Sequence, residues 1–363
     1  MRVATVTYHH ANYGALLQAY ALQTALRKLG NTSQIIEYTS HTQKKPISSP
    51  RVEFKKFILN GFALLRHTKV RRRYERIGEF RRTCLDVTPR AYHSCDELSR
   101  FLPDAHAFIC GSDQIWKPSP DGDKTRVFYL DFVSSNDARK IAYAPSFGVA
   151  AVSRQFKHFI RPLIEDIPHL SVRERTGQQI IRQTTGREAP VVLDPTLLLS
   201  SEDWSQLAVP PRIDPPFVLV YSTSQRRIFL DLVQHVKRRT ALPVVVISAA
   251  PFNRIWGADH VIFDASPEEF VGLFASAACI CTNSFHGMAF SLINRRPFWT
   301  TPHPAANTRL ADLLDEIGLS DRQVADIGKL GGGLLEIDYS RAEKNLDEAR
   351  VNSIRFLRKA LAD

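Results

Sequence analysis

A chain of 363 residues exceeds the size at which one hydrophobic core stops growing, so it divides naturally into two domains, each able to bury a core. With 44% hydrophobic and 23% charged residues it has a globular composition, and no run reaches the ~18 uninterrupted apolar residues that a membrane-spanning helix needs. A net charge of +11 favours anionic partners, without choosing among phosphorylated small molecules, lipid headgroups and nucleic acid.

Met1-Arg2-Val3-Ala4-Thr5-Val6-Thr7 leads directly into polar Tyr8-His9-His10 with no small-residue cleavage site, which predicts a cytoplasmic protein. Residues 2–8 read as a buried strand, Asn12-Tyr13-Gly14 as a turn, 15–29 as a helix closed by Gly30, and 34–38 as a second strand: a βαβ opening. Between about 41 and 90 a Ser/Pro loop gives way to a basic stretch. There Phe54, Phe57, Ile58, Phe62, Leu65, Val70, Tyr74 and Ile77 recur at helical spacing, so inserted helices are expected. Arg66 to Arg82 carries eight Lys or Arg against Glu75 and Glu79; its first reading is a solvated helix face, its second peripheral contact with anionic membrane, its third nucleic acid.

Further strands are predicted at 105–110, 127–132, 140–144, 169–172 and 190–193, with helices at 152–167 and after Arg173. The polar stretch 201–216, with Pro210, Pro211, Pro215 and Pro216, suits an interdomain connection. A second alternation then sets strands at 217–221, 243–247, 260–263 and 278–281 against helices at 224–239, 267–277 and 285–294, before a final helix at 340–361. Ser266-Pro267-Glu268-Glu269 is a strong helix start. The expected fold class is α/β: two Rossmann-like domains with mostly parallel sheets, 1–200 and 201–363, facing each other across a cleft at the carboxyl ends of their strands. The five cysteines are odd in number and lack metal-site spacing, so they read as buried free thiols, and neither a metal nor a redox cofactor is expected.

Four segments at strand ends carry candidate chemistry. Asn12 and Gly14 open the first helix, whose amide groups would attract an anion, although a plain turn and cap explains them equally well. Gly111, Ser112, Asp113 and Gln114 could bond a polyol beside Trp116, or simply form an Asx-type turn. Arg173 suits a bidentate grip on carboxylate or phosphate, with an ion pair to Glu174 or Asp194 as the structural alternative. The fourth is Thr282-Asn283-Ser284-Phe285-His286-Gly287, where an apolar strand meets a helix and sets His286 in the first turn, at the mouth of the second sheet. His286 is the favoured catalytic residue.

Taken in order, TYHHANYGALLQAYALQ at 7–23, GSDQIWKP at 111–118, YAPSFG at 143–148, SVRE at 171–174, LDPTLLL at 193–199 and TNSFHGMAFSLINRRPF at 282–298 resemble the polysaccharide pyruvyl transferase family. The resemblance implies a two-domain fold of the GT-B glycosyltransferase type. It also implies transfer of pyruvate from phosphoenolpyruvate to two hydroxyls of one sugar, giving a cyclic ketal. The acceptor is left open as lipid-linked, nucleotide-linked or polymeric, and no nucleic-acid partner is expected. Carried over by position, the family histidine falls on His286, as general acid/base, and a donor-binding arginine on Arg173. Many members have Arg-Leu-His where this chain has Ser284-Phe285-His286, so one arginine is missing; Arg295, Arg296 and Arg309 are the candidates to replace it. The competing functions are a nucleotide-sugar glycosyltransferase of the same architecture and a non-enzymatic binder acting through the basic helix.

Overall fold

The two strand-and-helix alternations fold into two parallel sheets in a computed structural model, which describes residues 1–10, 12–40, 61–134, 138–224, 226–248, 257–302, 308–330 and 333–362. β1 (Arg2–Val6), β2 (Thr32–Tyr38), β3 (Val87–Tyr92), β4 (Ala107–Cys110), β5 (Arg139–Ala142) and β6 (His169–Leu170) form the first, in the order β3-β2-β1-β4-β5-β6. β7 (Val218–Tyr221), β8 (Val244–Ile247), β9 (His260–Ile262), β10 (Cys279–Thr282) and β11 (Phe298–Trp299) form the second, in the order β11-β10-β7-β8-β9. All neighbours pair in parallel. Helices cover both faces, which is why central strands such as Val218-Leu219-Val220-Tyr221 are apolar throughout instead of alternating.

In each sheet the strand order reverses once, between β1 and β4 in the first and between β7 and β10 in the second. Ligands of open α/β sheets bind in the crevice at such a reversal. The segments that follow these four strands are therefore the ones placed to build a site.

The halves are tied together by apolar and polar contacts. Tyr13, which opens the helix Tyr13–Lys28, stacks on Phe270 with centroids 4.8 Å apart and donates its hydroxyl to the Ala265 carbonyl at 2.7 Å. The final helix, Ser340–Ala362, returns to the first half, where Ser353 Oγ accepts from the Leu193 amide at 2.9 Å and Arg350 Nε donates to the Leu197 carbonyl at 2.9 Å.

The basic stretch forms the helix Gly61–Cys84, and its arginines are engaged more than a solvated face would require. Arg76 bonds the Glu269 carboxylate at 2.6 Å and the Asp264 carbonyl at 2.7 Å; Arg81 bonds Glu37 at 2.5 Å; buried Arg73 lies over the Tyr13 ring at 4.8 Å. One face therefore bridges the halves, while Lys69, Arg71, Tyr74 and Arg82 remain exposed. Phe54, Phe57 and Ile58 of the predicted insertion lie outside the described residues.

Several predicted elements differ. Residues 127–132 are not a strand but the end of the helix Gly122–Phe128 and the turn after it, with Leu130 at φ 60°. A short apolar run cannot by itself distinguish a buried helix turn from a strand, and the Asp121 side chain caps this one by accepting from the Lys124 amide at 3.0 Å. Residues 190–193 supply only a single bridge, Val172 to Val191. β3 was hidden inside the predicted insertion, because Pro89 argues against a strand; as the sheet edge it is tolerated. Among the described residues no helix is long and apolar enough to cross a membrane.

Candidate functional site

His286 sits in the first turn of the helix Phe285–Ile293, immediately after β10. Ser284 caps that helix by accepting from the Gly287 amide at 3.4 Å, and the Ser284 amide donates to Thr282 Oγ1 at 3.1 Å. Gly287 must be glycine: a Cβ there would stand 3.0 Å from Thr282 Cβ and 3.2 Å from the Tyr221 ring. Asn283 accepts from the Thr223 amide at 2.9 Å and donates to the Ser224 carbonyl at 2.6 Å, locking the end of β7 to the end of β10. The imidazole is thereby delivered towards the first half of the molecule.

There it meets Gly14. A Cβ on that residue would lie 2.5 Å from His286 Cγ and 2.8 Å from Cε1, so the ring rests on bare backbone in the first turn of the helix Tyr13–Lys28. Asn12 caps that helix, accepting from the Gly14 amide at 2.9 Å. The amino ends of two helices thus converge on one imidazole, which is an anion-attracting arrangement.

On its other side, His286 Nε2 is 3.6 Å from Asp194 Oδ2, and among the described residues that nitrogen has no hydrogen-bond partner. Asp194 is fully buried and heavily engaged. Its Oδ2 accepts from Arg173 Nη1 at 2.6 Å and Ser112 Oγ at 2.9 Å, and its Oδ1 from the Thr196 amide at 3.0 Å and Thr196 Oγ1 at 2.8 Å. Burial alone would raise this carboxyl, but His286, the Arg173 guanidinium and the Thr196 amide more than offset it and hold it below the usual range. Asp194 is therefore a fixed anion facing the histidine.

Arg173 is almost wholly enclosed, which is the ion pair that was its structural alternative. Besides Asp194 it reaches Asp113 at 3.4 Å, and its guanidinium lies 4.6 Å from the Phe285 ring centroid. Asp113 itself takes φ 75°, a conformation rare for a residue with a side chain and a strain of the kind found at functional sites. Gly111 lets β4 close on β1, since a Cβ would fall 3.0 Å from Thr7 Cβ.

Of the three arginines considered as replacements for the missing one, only Arg309 enters the site. Arg295 pairs with Glu343 on the surface, and Arg296 bonds the Ala275 carbonyl. Arg309 is buried, 6.0 Å from the Phe285 centroid, and its two terminal nitrogens meet the Gln114 side-chain oxygen at 3.0 and 2.6 Å when that amide is oriented to accept. Burial, with neighbouring Arg173 adding, pushes its pKa down to about 10. Both guanidiniums approach the Phe285 ring, and the Glu174, Asp113 and Asp194 carboxylates act on Arg309 against burial and Arg173.

Sequence reasoning missed Asp194 and Glu174 as site groups. Glu174 is buried, accepts from Ser146 Oγ and the Phe147 amide at 3.0 Å each, and burial raises its pKa against the pull of Arg173 and Arg309. Trp116, expected to hold a sugar ring, does not: it is fully buried, stacked on Tyr129 at 4.5 Å, with its Nε1 donating to the Phe128 carbonyl at 3.0 Å. Its hydrophobic area is satisfied inside the first half.

A second grouping went unnoticed in the sequence: His9 and His10, after β1, converge on Glu37 of β2. Burial, with His9 and Arg81 adding, pushes His10 down to about 4. Glu37 is lowered to about 2, because His9, Arg81 and His10 outweigh the opposing effect of burial.

The polysaccharide pyruvyl transferase family model matches residues 12–302 of the chain. A search of curated proteins found no match. Among solved structures, a candidate UDP-N-acetylglucosamine 2-epimerase from Listeria monocytogenes is similar at TM-score 0.50 and 10% identity, over 98% of this chain and 90% of that one. An alpha-glucosyltransferase in complex with UDP and DNA is similar at TM-score 0.50 and 8% identity, over 98% of this chain and 95% of that one. At TM-score 0.43 and 11% identity, the likeness to an E. coli heptosyltransferase with ADP covers 96% of this chain and 100% of that one. The fold is the two-sheet α/β arrangement of GT-B glycosyltransferases.

Proposed function

Because the chain belongs to the polysaccharide pyruvyl transferase family, we propose that it moves pyruvate from phosphoenolpyruvate onto two hydroxyls of one sugar in a glycan or glycan precursor. The observation that carries this reading is His286, held on Gly14 between two helix amino ends and 3.6 Å from the buried Asp194 carboxylate.

In the proposed reaction, phosphoenolpyruvate binds with its anionic groups towards Arg309 and the two helix ends. Protonated His286 gives its proton to the methylene carbon, and the substituted carbon becomes oxocarbenium-like. A sugar hydroxyl forms a C–O bond there, the bond to the phosphate oxygen breaks, and a second hydroxyl closes the ketal. Of the two hydroxyl protons released, one restores His286 and the other leaves with phosphate. Asp194 stabilises the imidazolium and fixes the ring, while Arg173 holds Asp194 in its ionised form. The mechanism asks for no metal.

Loss of a positioned general acid lowers rate by roughly 10²- to 10⁴-fold. We therefore expect His286→Ala to lose phosphate release from phosphoenolpyruvate plus acceptor while keeping its circular dichroism. Unchanged turnover removes the assignment. A nucleotide-sugar glycosyltransferase shares this architecture, and thermal protection by a nucleotide sugar but not by phosphoenolpyruvate would favour it. For a lipid-linked acceptor, the exposed Lys69, Arg71 and Arg82 offer a peripheral membrane contact, tested by sedimentation with anionic vesicles.

A further inference from the structure

We propose that His9, His10 and Glu37 form a binding site for a borderline divalent transition metal such as zinc, cobalt or nickel, with one coordination position left open. The inference stands on this cluster alone and is independent of pyruvyl transfer.

Three features of the geometry support it. First, the candidate ligand atoms are already grouped. His9 Nε2 is 3.4 Å from Glu37 Oε2, His10 Nε2 is 3.5 Å from Oε1, and one ligand atom from each residue can be chosen so that all three lie within 4.8 Å. Ligands at 2.0–2.1 Å from a tetrahedral ion stand about 3.3 Å apart, so closing the set takes side-chain rotation and no change in the strands.

Second, both imidazoles turn Nε2 towards the same carboxylate. His9 Nδ1 lies 3.0 Å from the Thr7 carbonyl, and among the described residues buried His10 Nε2 makes no hydrogen bond, only its 3.5 Å approach to Glu37 Oε1. A histidine whose Nδ1–H is held by a backbone carbonyl presents its Nε2 lone pair, which is the tautomer a metal selects. Third, the two histidines follow β1 and Glu37 lies near the end of its neighbour β2, so the set sits at the carboxyl ends of paired strands, with the histidines a few residues before the Gly14 that supports His286.

Two imidazoles and one carboxylate select against magnesium and calcium, which take oxygen ligands. Three protein ligands leave a tetrahedral ion one position for water or a substrate oxygen. Arg81 opposes the ion, since its guanidinium already bonds Glu37 Oε2 at 2.5 Å. The metal has to share that carboxylate with a fixed positive charge, so Arg81 sets the affinity of the site.

This gives a test with a sign that ordinary ion pairing does not share. Purified full-length protein, stripped with chelator, is titrated with cobalt(II) alone and followed by visible absorption, and with zinc(II) by calorimetry and thermal shift. One equivalent should bind and give the intense visible bands of a four-coordinate cobalt centre. His10→Ala and Glu37→Gln should each weaken binding at least tenfold, whereas Arg81→Gln should tighten it. No stoichiometric binding by the wild-type protein, or binding unaffected by His10→Ala, overturns the proposal and leaves the cluster as a charge network. Phosphate release from phosphoenolpyruvate is measured separately on the same stripped protein, so failure of either reading is visible without the other.

Discussion

Gly14→Ala is a single methyl group aimed at His286. Its Cβ would stand 2.5 Å from Cγ and 2.8 Å from Cε1, where ordinary contact begins near 3.4 Å, so the ring must retreat by roughly 1 Å. A misplacement of that size at a reacting group can lower rate by about 10²-fold. Helix propensity acts the other way, because alanine is favoured over glycine by ~1 kcal/mol in a helix, so a loss of activity cannot be blamed on an unfolded helix. The assay is phosphate release from phosphoenolpyruvate with acceptor, beside circular dichroism and thermal unfolding. We expect a folded protein with turnover down by about two orders of magnitude. In a His286→Ala background the same methyl group should change little, since the ring it strikes is gone and the two effects are coupled. A Gly14→Ala enzyme within twofold of wild type would refute the claim that this contact places the histidine.

Other consequences follow from the same geometry. Arg309→Gln should raise KM for phosphoenolpyruvate by roughly 10- to 100-fold, the worth of a charge-assisted contact, with a smaller change in kcat; an effect on kcat alone would count against donor binding. Arg173→Gln strands the buried Asp194 charge and should destabilise the fold by about 3–5 kcal/mol in urea unfolding, whereas a mainly donor-binding role predicts normal stability. Since the folded-state pKa of Asp194 lies below its ordinary 3.8, its stabilisation is present above roughly pH 4 and is lost progressively as pH falls from there towards the lower folded-state value. Asp194→Asn should accordingly flatten the acid limb of the stability profile, and an unchanged limb would contradict the pairing. Trp116→Phe should lower thermal stability and leave KM for the acceptor unchanged, because the indole is sealed in the core.

Much of the second half was legible because β7, β8 and β10 are short apolar runs and two helix starts carry a serine cap, Ser266 before Pro267 and Ser284 before Phe285, whereas two-residue β11 at Phe298–Trp299 was too short to read. The helix Thr308–Ile317 was readable too, through Leu310, Leu313, Leu314 and Ile317 on one stripe, and it was overlooked. The histidine could be found from a strand end and a polar turn. Its neighbours could not be placed in that way. Asp194 stands 92 positions before His286 and is held by a final-helix anchor at Leu193 and a turn at Thr196, and Glu174 is held by Ser146 and Phe147, none of which a local pattern announces. Trp116 misled because polar residues precede it, whereas burial is decided by Tyr129 and Phe147 packed around it. The His9, His10 and Glu37 cluster was invisible for the same reason, as strand pairing and not sequence distance joins β1 to β2.

The most direct measurement incubates the protein with phosphoenolpyruvate and a panel of lipid-linked, nucleotide-linked and free glycans, following phosphate release and product mass together. The account predicts one phosphate released for each pyruvyl ketal formed, and a His286→Ala enzyme slower by at least about 10²-fold. Glycosyl transfer from a nucleotide sugar with no use of phosphoenolpyruvate, or ketal formation indifferent to His286→Ala, would contradict it.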